Sequence, residues 1–160
     1  MSSEIITREE IGAVQRQWGD GVVAIGKTLD KREECERAAW DHVNGLYGYD
    51  IGPVLFKPTM TVEVPFRDTA ESAVAYFIGG NQKYPEDHGF ALNQWQKVRF
   101  ENNQVIEGNQ AFAQGVYYFS GADGKETPVV YTFGYVRDEA GNIKINVHHS
   151  SLFPSLHSID

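Results

Sequence analysis

The chain has 160 residues, 41% of them hydrophobic, with 14 Lys+Arg against 22 Asp+Glu and a formal net charge of -8. That length fits one domain, 1–160, burying about two thirds of its unfolded surface, enough for a core with an internal pocket. The acidic balance excludes the basic footprint that nucleic acid and anionic membrane surfaces require.

Cys35 is the single cysteine, so neither an intrachain disulfide nor a Cys-rich metal cluster is available. In its helical surroundings it reads as a packed small hydrophobe. Residues 1–10 are polar, without the apolar centre of a signal peptide, and no apolar run is long enough to span a bilayer. A cytoplasmic protein is expected.

In chain order, Thr7 and Glu10 have capping-box spacing. Behind them Ile11, Val14, Trp18, Val22, Ile25 and Leu29 recur at steps of three and four, one stripe of a long amphipathic helix. Asp30 and Glu33 signal a second helix with Ala39, Val43, Leu46 and Tyr47 on one face, broken at Gly48 and Gly52-Pro53. A short strand over 54–57 stops at Pro58. A third helix is predicted from about Asp68, with Glu71 as its box partner, to Ile78, its inner face carrying Ala73, Tyr76 and Phe77. Residues 81–89 read as a loop.

From Trp95 onward the chain reads as strand, with hairpin turns at Asp123-Gly124 and Ala140-Gly141-Asn142. Tyr131, Phe133 and Tyr135 form one row, and Val130, Thr132 and Val136 the other. Apolar residues on both faces predict helices on one side and a second subunit on the other, hence a homodimer. The order of elements is α+β: a cone-shaped, curved antiparallel sheet wrapped around the long N-terminal helix, with a pocket at its open end.

The last strand carries the chemistry. In Ile145-Asn146-Val147-His148-His149-Ser150-Ser151, alternation places Ile145, Val147, His149 and Ser151 on one face and Asn146, His148 and Ser150 on the other. The first row starts apolar and ends in an imidazole and a hydroxyl, which predicts that His149 and Ser151 reach the pocket. On spacing alone a satisfied core histidine has equal weight. Adjacent histidines on opposite faces do not chelate one ion, and His42, His88 and His157 stand alone, so the spacing points to a metal-free site.

Leu55-Phe56-Lys57-Pro58-Thr59, Ala75-Tyr76-Phe77-Ile78-Gly79-Gly80-Asn81, Lys97-Val98-Arg99-Phe100-Glu101-Asn102, Tyr131-Thr132-Phe133-Gly134-Tyr135-Val136 and His148-His149-Ser150-Ser151-Leu152 together resemble the iota-class carbonic anhydrases. These belong to the nuclear-transport-factor-2-like superfamily, whose remote members include ketosteroid isomerase and SnoaL-like cyclases. The resemblance covers essentially the whole chain and departs from the family pattern where Phe153 follows Leu152. It implies reversible hydration of carbon dioxide to bicarbonate, with Thr59, Tyr76, His149 and Ser151 as the polar pocket groups. Phe56, Phe77 and Phe133 are assigned to the apolar wall from pattern. The resemblance covers members with and without metal, so on that ground zinc or manganese stays open. Two other readings compete: an isomerase or cyclase using a carboxylate such as Asp50 near Tyr47 and Tyr49, and a non-catalytic ligand-binding or oligomerisation module.

Overall fold

The computed structural model describes residues 4–153; His157 and the rest of the tail lie outside it. Helix α1 (Arg8–Gly26) opens with the expected box: Thr7 Oγ1 accepts from the Glu10 N–H, and Thr7 N donates to Glu10 Oε1. Its stripe of Ile11, Val14, Trp18, Val22 and Ile25 is buried, whereas Leu29 falls beyond the helix and is exposed. Helix α2 (Arg32–Leu46) starts at Lys31 without a side-chain cap, rather than at Asp30, and buries Ala39, Val43 and Leu46. Helix α3 (Ala70–Ile78) is capped by Thr69, with Ser72 closing the box. This is one residue beyond the expected Asp68–Glu71 pair, because the Thr69 and Ser72 hydroxyls satisfy each other's backbone N–H.

The strands are β1 (Leu55–Lys57), β2 (Lys97–Glu107), β3 (Gln110–Ser120), β4 (Glu126–Arg137) and β5 (Ile143–Leu152). They form a five-stranded sheet in the order β1-β5-β4-β3-β2. β1 runs parallel to β5, and the other pairs are antiparallel. α1 lies against β2 and β5, α2 packs on α1, and α3 on α2. Trp18 is at the centre of the core, stacked on Tyr117 and edge-on to Phe77, Phe133 and His148.

Two loops frame the open end. Arg67 is fully buried and holds Asp87 with paired bonds of 2.7 and 2.8 Å. Glu86 accepts from the backbone N–H groups of Val62, Glu63 and Val64. The segment after β1 is thereby tied to the loop after α3, and among the described residues no helix is long and apolar enough to cross a membrane.

Candidate active site

On β4, Tyr131, Phe133 and Tyr135 are buried as one row. Their partners on β5 are Ser150, His148 and Ile145. Directly opposed residues of an antiparallel pair share a face, so His148 and Ser150 enter the interior, 2% and 1% exposed. His149 pairs with Thr132 and Ser151 with Val130, on the outer face, and His149 is exposed. The expectation that His149 and Ser151 reach the pocket is therefore corrected to His148 and Ser150.

The physical reason is a β-bulge. Tyr135 pairs with Ile145 while Gly134 pairs with Val147, leaving Asn146 as an extra residue. One inserted residue flips every later side chain to the other face. A Cβ on Gly134 would sit 2.8 Å from Val147 Cβ, so only glycine lets the strands close at this point. An isolated glycine inside a strand pattern is itself a bulge signal, and it is what a strict two-residue period overlooks.

Four segments meet over His148 and Ser150 around a small cavity. Phe56, Phe77, Phe90 and Trp18 form its apolar wall; Thr59, Tyr76, Tyr117, His148 and Ser150 form the polar one. The space for centres of water-sized molecules is about 10 Å³, on the order of one such sphere. Of the predicted wall residues, Phe56 and Phe77 line it. Phe133 instead packs on the His148 ring at 4.3 Å, and Phe56 stacks on that ring from the β1 side at 4.7 Å. Tyr76 and Phe90 also line an outer groove of about 500 Å³ with Met60, Val62, Glu86 and His88, which makes that groove the mouth.

Hydrogen bonds link the polar wall to the core. Trp18 Nε1 donates to Tyr47 Oη at 2.9 Å, and Tyr47 Oη is 2.8 Å from His148 Nδ1. His148 Nε2 is 3.1 Å from Tyr117 Oη. Tyr117 Oη donates to Ser150 Oγ, which is 2.6 Å from Thr59 Oγ1. Tyr47 is set in place where α2 ends: its backbone is extended there and bridges Ile145 of β5. Lys57 Nζ donates to the carbonyls of Thr59 and Ser150, clamping the two strand ends together. Tyr76 Oη accepts from the Met60 N–H.

Burial sets the charge state. It holds His148 well below the ordinary imidazole range, and the neighbouring His42 and His149 push the same way. Burial raises Tyr47 and Tyr117, and it pushes Tyr76 up to about 12 against the opposing Thr59 hydroxyl. Near neutral pH the cavity presents a neutral imidazole and protonated phenols. Sequence spacing places Trp18 and Tyr47 on helix faces and gives no sign that they, or Tyr117 of β3, join His148 and Ser150. Asp50 is exposed in the turn after α2 and does not line the cavity.

The family profile described as metal-independent carbonic anhydrase matches residues 9–152. The chain belongs to the metal-independent carbonic anhydrase family. A family protein from Nostoc sp. (strain PCC 7120), named metal-independent carbonic anhydrase, is 40% identical over 151 residues, covering 92% of this chain and 74% of the relative. The crystal structure of an iota-carbonic anhydrase from a cyanobacterium, complexed with bicarbonate, superposes with a TM-score of 0.92. It is 38% identical, with 97% of each chain covered. An NTF2-like protein of unknown function from Pseudomonas putida KT2440 matches at a TM-score of 0.56 and 13% identity, covering 95% of this chain and 90% of that one; this likeness shows the fold alone. As the family name states, its members are metal-independent. Among the described residues no cluster of three or more His, Cys, Asp or Glu side chains could hold a metal ion.

Proposed function

We propose that this chain catalyses CO2 + H2O ⇌ HCO3⁻ + H⁺ in the cavity between Phe56, Phe77 and the Thr59–Ser150 hydroxyl pair, without a metal. The observation that carries the reading is a small cavity lined by aromatic rings and linked hydroxyls, which shares Tyr76 and Phe90 with the groove of about 500 Å³ into which carbon dioxide and the attacking water together extend. Carbon dioxide is apolar as a whole and electrophilic at carbon, so the rings hold it while the polar wall orients the attacking water. As the new C–O bond forms, one C=O electron pair moves onto oxygen. Hydroxyls already aimed at that oxygen stabilise its charge without reorganising. Thr59 and Tyr76 take this role, with Ser150 donating to Thr59 from behind, and the water proton passes to solvent at the mouth. His148 orients the hydroxyls, in place of the role first given to His149.

Asp50 lies outside the cavity, which weighs against an isomerase or cyclase that uses it as the base. We read residues 1–160 as one domain, supported by one hydrophobic cluster running from Ile6 to Ile145. We read the chain as a cytoplasmic homodimer. The dimer rests on an exposed cross-strand stripe on the outer sheet face, Val105, Phe112 and Leu55, around Val147.

The test is the initial rate of carbon dioxide hydration before and after dialysis against a strong chelator. The expected result is turnover that survives chelation unchanged. Loss on chelation with recovery on adding zinc or manganese contradicts the metal-free reading.

A further inference from the structure

The hydrogen bonds behind the cavity have a direction that donor counting settles. The Trp18 indole N–H only donates, and its partner is Tyr47 Oη. Tyr47 is 0% exposed, so no solvent reaches its hydroxyl. Its other partner is His148 Nδ1 at 2.8 Å. A neutral imidazole has one donor nitrogen and one acceptor.

If Nδ1 carried the hydrogen, Tyr47 Oη would face two donors, and its own hydrogen would be buried without an acceptor. A buried hydroxyl left in that state costs its full desolvation penalty. If Nε2 carries the hydrogen, every group is used. Tyr47 donates to Nδ1, and Nε2–H donates to Tyr117 Oη. Tyr117 donates to Ser150, and Ser150 to Thr59. The Thr59 hydrogen is then the last donor, beside Tyr76 and the cavity.

We propose that Tyr47 is a positioning residue that holds His148 as its Nε2–H tautomer, so that every hydrogen bond from Trp18 to Thr59 is donated toward the cavity. This deepens the carbonic anhydrase reading and takes its meaning from it. An Nε2 that already carries a hydrogen does not accept the proton of the attacking water through Tyr117. His148 is then not the base of the reaction. It is the anchor of a relay in which Tyr117 polarises Ser150 and Ser150 polarises Thr59, whose hydrogen is the one left to donate to a developing oxyanion. The inner end of the chain is closed, because the Trp18 indole neither accepts nor passes on a proton. The proton released in each hydration leaves by the mouth instead.

The experiment is a long-range ¹H–¹⁵N correlation on the full chain labelled with ¹⁵N-histidine, with His148 assigned by its loss in His148→Gln. The expected spectrum has a protonated Nε2 and an unprotonated Nδ1 at neutral pH. A protonated Nδ1 overturns the proposal. In Tyr47→Phe neither tautomer has a partner at Nδ1, so both forms are expected. There kcat should fall about tenfold or more with KM little changed, less than the roughly 10²–10³-fold cost of losing a donor that touches the oxyanion. A variant that stays wholly Nε2–H at full kcat overturns the role of Tyr47. If Tyr47→Phe does not fold, the tautomer of the parent decides alone. A parent with the expected tautomer but no carbon dioxide hydration supports this arrangement and removes the carbonic anhydrase reading.

Discussion

At the residue scale, the neutral imidazoles carry a consequence for stability. His42 sits between α1 and α2 against Trp18 and Phe77, and burial lowers it from 6.5 to about 3. His148 is lowered in the same direction. An unfolded histidine binds a proton as pH falls below about 6.5, while these two stay neutral in the fold. Their contribution is therefore fully present above 6.5 and is lost as pH falls toward the folded value, by up to about 1.4 kcal/mol per pH unit for each group. Glu10, held down to about 2 chiefly by its Arg137 hydrogen bonds, adds its own loss only below 4.5. Denaturant midpoints should therefore drop steadily between pH 6.5 and 4.5. His42→Phe, which keeps a ring against Trp18 and Phe77, should make that slope shallower. A slope unchanged by the substitution contradicts the neutral, buried assignment of His42.

At the element scale, the bulge in β5 decides which residues become the site. Gly134→Ala would place a methyl 2.8 Å from Val147 Cβ and 3.2 Å from Asn146 Oδ1. Forcing atoms into a packed contact of this kind typically costs about 1–3 kcal/mol. Equilibrium unfolding should show that loss, and carbon dioxide hydration should fall with it, because His148 follows directly. Full stability in Gly134→Ala would mean that the strands do not need the close approach. This is also where legibility in the sequence ends. The box at Thr7 and Glu10, the α1 stripe and the hairpin turns are local, so their spacing suffices to place them. The cap of α3 missed by one residue because two candidate cap sets, Asp68 with Glu71 and Thr69 with Ser72, overlap. The bulge depends on Gly134, in a different strand from His148, and alternation along one strand does not contain it. Tyr47 and Tyr117 join the site from the end of α2 and from β3, which only the assembled sheet brings together. Phe56 and Phe77 lie on short, regular elements whose inner faces the pattern identifies, whereas Thr59, in the turn after β1, and Tyr76 entered as site residues only through the family resemblance.

At the scale of the whole molecule, the two faces of the sheet have different tasks. The inner face is aromatic from Tyr117 to Tyr135 and closes on the helices. The outer face carries Phe112 and Leu55, 45% and 66% exposed, beside a polar row of Gln114, Thr132 and His149. Mixed rows of this kind suit an interface with an apolar stripe and a polar margin. Sedimentation at micromolar concentration should give a species twice the 18.0 kDa chain. Phe112→Glu should shift it toward the single chain while leaving the cavity lining intact. A parent that sediments only at 18.0 kDa contradicts the dimer.

The central claim is that carbon dioxide is hydrated on the face of β5 that carries His148 and Ser150. The most direct measurement compares initial hydration rates of the parent, Ser150→Ala and Ser151→Ala after chelation, on proteins that fold and assemble alike. Ser150 Oγ bonds both Tyr117 and Thr59, whereas Ser151 pairs with Val130 on the opposite face. Ser150→Ala removes the hydroxyl that aligns and polarises the Thr59 donor, which predicts a fall of up to about 10², with Ser151→Ala staying close to the parent. Equal rates in all three, or a loss confined to Ser151→Ala, would contradict the site.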